Sequence, residues 1–171
     1  MSVIESWGME GNLWPDELKI LVIDDEQEVL NLIRLSLEPA GFRVLRTTRS
    51  DEGLQLALTE EPDLLLLDVM MPSLDGFELL HRIRRHPRLS DVPAIIISAR
   101  ATTLAQQRML RISRTYDDDI DAYIGKPFDP AGLLKTVKKV LLKHRDYLLE
   151  KNKPQKRPWE KIANGTSSTE A

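Results

Sequence analysis

Short apolar runs alternate along the chain with longer stretches of helical period. KILVI (19–23) reads as a strand. Val29, Leu30, Ile33 and Leu37 then share one face of a helix over 26–38, which Pro39 and Gly41 end. FRVLRT (42–47) alternates like a strand with one wet face. Ser50 is placed to cap a helix running through Leu58, and Pro62 closes that connection. DLLLL (63–67) predicts a third strand, and 76–85 a helix that ends before Pro87. AIIIS (94–98) predicts a fourth strand, 102–114 a helix, and AYIG (122–125) a short fifth strand. Asp129-Pro130 joins an N-cap to a proline at the first helical position, for a helix reaching about Tyr147.

Five strand-then-helix units predict an α/β fold, a doubly wound parallel sheet with right-handed crossovers. The continuous runs LLLL and AIII suit central strands covered on both faces, and FRVLRT suits an edge. With 171 residues the chain has room for one domain with a real core plus flanks. We read 1–17 as an N-terminal extension, 18–149 as the domain and 150–171 as a polar, basic tail. Composition narrows the classes. A net charge of −3 does not favour nucleic acid as the main partner. The absence of cysteine removes disulfides, thiolate metal sites and a cysteine nucleophile. The first 17 residues carry no basic residue and no apolar stretch of signal-peptide kind. No apolar run has membrane-spanning length, so the expected place is the cytoplasm, without a membrane partner.

In sheets of this type ligands bind beyond the carboxyl ends of the strands. There the first strand delivers Asp24 and Asp25, the third Asp68, the fourth Ser98 and the fifth Lys126, while the second delivers no such group. Each has an ordinary reading: a helix cap, a strand end, a solvated lysine. Their agreement at four strand ends argues for a site. Clustered carboxylates repel unless a cation joins them, and Lys126 with a hard divalent ion such as Mg2+ would serve. A carboxylate beside Mg2+, a lysine and a hydroxyl is equipped for phosphoryl transfer, with Asp68 as the nucleophile.

The segments VIDDE, LLLLDVMMPSLDGFELL, IIISA and YIGKPF, in this order, resemble the receiver domain of two-component response regulators over about 18–146. The resemblance implies a flavodoxin-like sheet of order 2-1-3-4-5. It also implies that Asp68 is the phosphoacceptor. Asp24, Asp25, Asp68 and the Met70 backbone carbonyl would hold Mg2+. Ser98 would be the switch hydroxyl, Tyr123 the switch aromatic and Lys126 the phosphate-contacting lysine, with a cis bond to Pro127. Met70 and Arg100 would influence hydrolysis of the acyl phosphate. The implied partners are a histidine kinase or phosphotransfer protein upstream, and a protein downstream that reads the surface of the fourth helix, fifth strand and fifth helix. A homodimer is left open. Such a domain promotes its own phosphoryl transfer and dephosphorylation, and is otherwise no enzyme.

Rival chemistries fit less well. A phosphatase of the haloacid dehalogenase type needs a second Asp two residues after the first, where this chain has Met70. A flavin or nucleotide binder needs a phosphate-cradling loop, and DDEQE after the first strand repels phosphate. A phosphorylation-independent pseudo-receiver usually lacks part of the acidic site. A stand-alone receiver or a phosphorelay intermediate fits best, with a fragment of a longer regulator as the alternative.

The chain departs from the family between Ser98 and Lys126, which is longer than expected and crowds Asp117, Asp118, Asp119 and Asp121 into an acidic insertion near 112–121. It reads as a solvated loop rather than a second metal site, and points to a private partner or an altered dimer. Trp7, Trp14 and Trp159 all lie in the flanks, as floppy tails or as anchors.

Overall fold

The computed structural model describes residues 18–72, 75–99 and 120–151. The tryptophans, Arg100, Asp117–Asp119 and the helix expected over 102–114 lie outside them. Five strands form one parallel sheet: β1 (Lys19–Ile23), β2 (Arg43–Thr47), β3 (Leu64–Asp68), β4 (Ala94–Ala99) and β5 (Ala122–Lys126), in the order β2-β1-β3-β4-β5. This is the order the resemblance implied. The described helices are α1 (Gln27–Leu37), α2 (Ser50–Glu60), α3 (Gly76–Arg84) and α4 (Pro130–Lys151), the last being the fifth helix of the sequence reading. Among the described residues, no helix is long and apolar enough to cross a membrane.

The strands carry the core in two alternating sets. Ile20, Val22, Leu64, Leu66, Ile95 and Ile97 pack with Leu30, Ile33 and Leu37 of α1 and Leu133, Val137 and Leu141 of α4. Leu21, Ile23, Leu65, Leu67 and Ile96 pack with Ala57 of α2 and Phe77, Leu79, Leu80 and Ile83 of α3. Continuous apolar runs therefore do mark strands covered on both faces. β2 is an edge strand, as expected, and only Thr47 of its five residues is buried.

Boundaries moved for local reasons. A short 3-10 turn (Glu38–Ala40) follows α1, and Gly41 takes a left-handed conformation at φ 92°. Ser50 does not cap α2: it is the first helical residue and is buried, and Arg49 stands at the cap position without a capping side chain. The turn is held instead by Thr47, whose Oγ1 accepts from the Arg49 amide at 3.1 Å. α2 runs two residues past Leu58 to Glu60. Asp63 sits outside β3, its carboxylate accepting the Lys19 amide at 2.8 Å, and Asp68 belongs to the strand proper. α4 starts as expected, with Asp129 Oδ1 accepting from Gly132 N–H at 2.8 Å, and extends to Lys151 rather than Tyr147. The Lys126-Pro127 bond is cis.

Candidate functional site

The carboxyl edge of the sheet gathers most of the residues singled out from the sequence. Oxygens from Asp24, Asp25, Glu26 and Asp68 lie within 4.8 Å of one another. Asp24 and Asp68 are 1% and 3% exposed, while Asp25 and Glu26 face water. Parallel pairing of β1 with β3 brings their strand ends level, and β5 reaches the same rim through β4.

Lys126 joins the cluster at its centre. Its Nζ lies 2.8 Å from Asp24 Oδ2, 2.8 Å from Glu26 Oε1 and 3.1 Å from Asp68 Oδ2. The last two are hydrogen bonds. The contact with Asp24 is an ion pair whose direction falls outside hydrogen-bond geometry, so Asp24 Oδ2 is a buried acceptor with no directed donor. Asp24 Oδ1 accepts from the Glu26 amide, and Asp68 Oδ1 from the Met70 amide, each at 2.9 Å.

Charge in this space is finely opposed. Burial pushes the Asp24 carboxyl above its usual range, the Lys126 and Glu26 amide bonds pull it back only in part, and the charge on Asp68 adds to the rise. Partial burial, followed by the Asp68 charge, raises Asp25 as well. Burial alone would lower Lys126, but its close contacts with Asp24 and Glu26 and the charge of Asp68 outweigh that and hold the ammonium above its ordinary value. An undonated buried oxygen among carboxylates fits a hard divalent cation, with an oxygen-only ligand set of the kind Mg2+ takes.

The raised Asp24 makes a testable point. A carboxyl whose folded pKa is raised favours the fold more as pH falls and costs stability once it is ionised. Without divalent ions at neutral pH, Asp24→Asn should melt a few degrees higher than wild type, and the gap should close as pH is lowered into the carboxylate range. Mg2+ should stabilise the wild type and not the variant. Calorimetry with chelator and with Mg2+ checks both statements, and an unchanged or lower melting point at neutral pH would refute the first.

Ser98 sits one rung beyond Ile97, the residue of β4 opposite Asp68, and is half-buried at the rim. Tyr123 stands three residues before Lys126 on β5 and is 47% exposed. Two residues escaped the sequence reading. Glu26, the third acid of VIDDE, reaches Lys126, 100 residues away in the chain. Gly76 allows α3 to start against the phosphoacceptor strand: a Cβ there would fall on the carbonyl oxygen of Asp68 and lie 3.0 Å from Val69 Cα. Because these are backbone atoms, Gly76→Ala should cost about 1–3 kcal/mol in urea unfolding and displace the end of β3 at Asp68. A stability equal to wild type would refute this. The Asp-Gly pair was visible in the sequence, but it signalled only a turn.

Comparison with known proteins agrees with this geometry. The response regulator receiver domain family matches residues 20–138. The chain is 34% identical over 123 residues to the DNA-binding dual master transcriptional regulator RpaA of Synechocystis, covering 72% of this chain and 48% of that protein. It is 36% identical over 126 residues to an uncharacterized 14.6 kDa protein of Leptolyngbya boryana, covering 74% of this chain and 92% of the other. Thus the chain spans about half of the first relative and nearly all of the second. A solved CheY-like receiver domain protein from Methanospirillum hungatei superposes with a TM-score of 0.64 at 27% identity, covering 75% of this chain and 97% of that one.

Proposed function

Since the chain belongs to the response regulator receiver domain family, whose members are signalling switches, we propose that it is switched by phosphorylation of Asp68. The observation that carries this reading is the placement of Asp68, which is 3% exposed yet at the rim, with one oxygen against an ammonium and three other acids close by. Burial of a carboxylate in such company has little structural value and considerable chemical value.

In this reading the donor is the phosphohistidine of a histidine kinase or phosphotransfer protein. An Asp68 oxygen attacks phosphorus in line. The P–N bond breaks, and the imidazole leaves with the electron pair and is protonated from water. Asp24, Asp25, Asp68 and the Met70 carbonyl are the groups that would hold Mg2+. The ion would supply positive charge against the phosphoryl oxygens. Lys126 contacts a phosphoryl oxygen, and the Ser98 hydroxyl donates to another. Ser98 and Tyr123 then carry the change to the surface that includes β5 and α4. We assign this activity to residues 18–149, and the flanks and the acidic insertion to partner contacts. The regulator of Synechocystis is named as DNA-binding and is about twice the matched length. Output through a partner protein, a place within a phosphorelay, or a further domain of a longer regulator are therefore all compatible with the switch.

The test is intact mass after incubation with acetyl phosphate, with Mg2+ and with chelator. One phosphoryl group added only with Mg2+ is expected. No addition under either condition would overturn the reading, and Mg2+ binding without addition would favour a scaffold that keeps the site's residues but not its chemistry.

A further inference from the structure

Lys126 is surrounded by acids before any phosphoryl group arrives: it is hydrogen-bonded to Glu26 and Asp68 and ion-paired with Asp24. An ammonium has three protons, and here three carboxylates face it. A phosphoryl oxygen that comes to Lys126 competes with these carboxylates for the ammonium. Asp24 and Asp68 are buried and pinned by backbone amides, and both belong to the phosphoryl and metal chemistry. Glu26 differs. Its side chain is 60% exposed and can retreat into water at small cost. It also occupies the N-cap position of α1 without making a side-chain cap, although its backbone carbonyl accepts from Leu30 at 3.1 Å. Its carboxylate accepts from the Lys126 ammonium at 2.8 Å.

We propose that Glu26 is a positioning residue: a displaceable counter-ion that holds Lys126 in the resting state and competes with the incoming phosphoryl group for it. The proposal rests on the receiver reading and deepens it by naming what regulates the site's own lysine. An interaction present in the ground state and given up in the transition state slows the step. In uptake from acetyl phosphate, an Asp68 oxygen bonds to phosphorus and acetate leaves with the electron pair. Glu26 takes no part in the bonds. Removing its hold on Lys126 should therefore speed uptake.

The experiment compares wild type, Glu26→Gln and Glu26→Asp by intact-mass time courses with acetyl phosphate and Mg2+ at one fixed ionic strength. Both variants should take up phosphoryl roughly two- to five-fold faster than wild type, the range set by a partly exposed ion pair. Glu26→Asp is the discriminating variant. It keeps the charge but loses a methylene of reach, so it should resemble Glu26→Gln if the contact with Lys126 matters. If instead it resembles wild type, the effect is repulsion of an anionic donor and the proposal falls. Equal or slower uptake in Glu26→Gln also overturns it. A wild type that takes up no phosphoryl group fails earlier, at the receiver reading itself.

Discussion

Asp68→Asn is expected to take up no phosphoryl group under conditions in which wild type reaches stoichiometric labelling. The substitution is close to isosteric. The amide oxygen can still accept from the Met70 N–H, as Asp68 Oδ1 does at 2.9 Å. An amide lacks the nucleophilic oxygen that forms the acyl phosphate, so the loss should be complete rather than graded. Because the amide nitrogen can turn toward the Lys126 ammonium where Oδ2 now sits at 3.1 Å, circular dichroism should accompany the mass measurement to establish that the variant is folded. Labelling of a folded Asp68→Asn at the wild-type level would place the phosphoryl group elsewhere and remove the proposed mechanism.

The second large effect concerns stability. Lys126→Met removes the cation shared by Asp24, Glu26 and Asp68, two of which are buried. Breaking a buried pair by deleting one partner costs about 3–5 kcal/mol, because the remaining charge is left uncompensated. A domain's total stability is about 5–15 kcal/mol, so the variant would be severely weakened. The sign with pH follows from the raised Lys126 value: its stabilisation is fully present below the ordinary lysine pKa and is lost only as pH rises through the folded value. At neutral pH the whole loss is therefore visible. Urea unfolding in chelator should show it. Added Mg2+ should narrow the gap, since a divalent ion offsets the same carboxylates. Equal stability of variant and wild type in chelator would mean that the burial cost of the ammonium cancels its three attractions.

Much of this site was legible before any coordinates. The apolar runs fixed where strands stop, and in a parallel sheet that places Asp24, Asp68 and Lys126 on one rim despite their distance in sequence. Two-sided burial was likewise readable from LLLL and AIII. What resisted reading depended on reach or on local competition. Glu26 looks like any acid at a helix start, and its contact with Lys126 exists only once β5 is in place. Ser50 has the right chemistry for a cap, yet the helix begins one residue earlier, at Ser50 itself, and the turn before it is held by the Thr47 hydroxyl accepting from the Arg49 amide. Gly76 announces a turn, whereas its role is to admit a backbone carbonyl that sequence alone does not place.

Leu64 and Leu66 belong to the half-core under α1 and α4, while Leu65 and Leu67 belong to the one under α2 and α3. Two packing problems are thus written into alternate letters of a single four-residue word. A point mutation edits one and leaves the other, but a one-residue insertion or deletion exchanges the two in a single step. Such a strand tolerates spelling changes far better than frame changes.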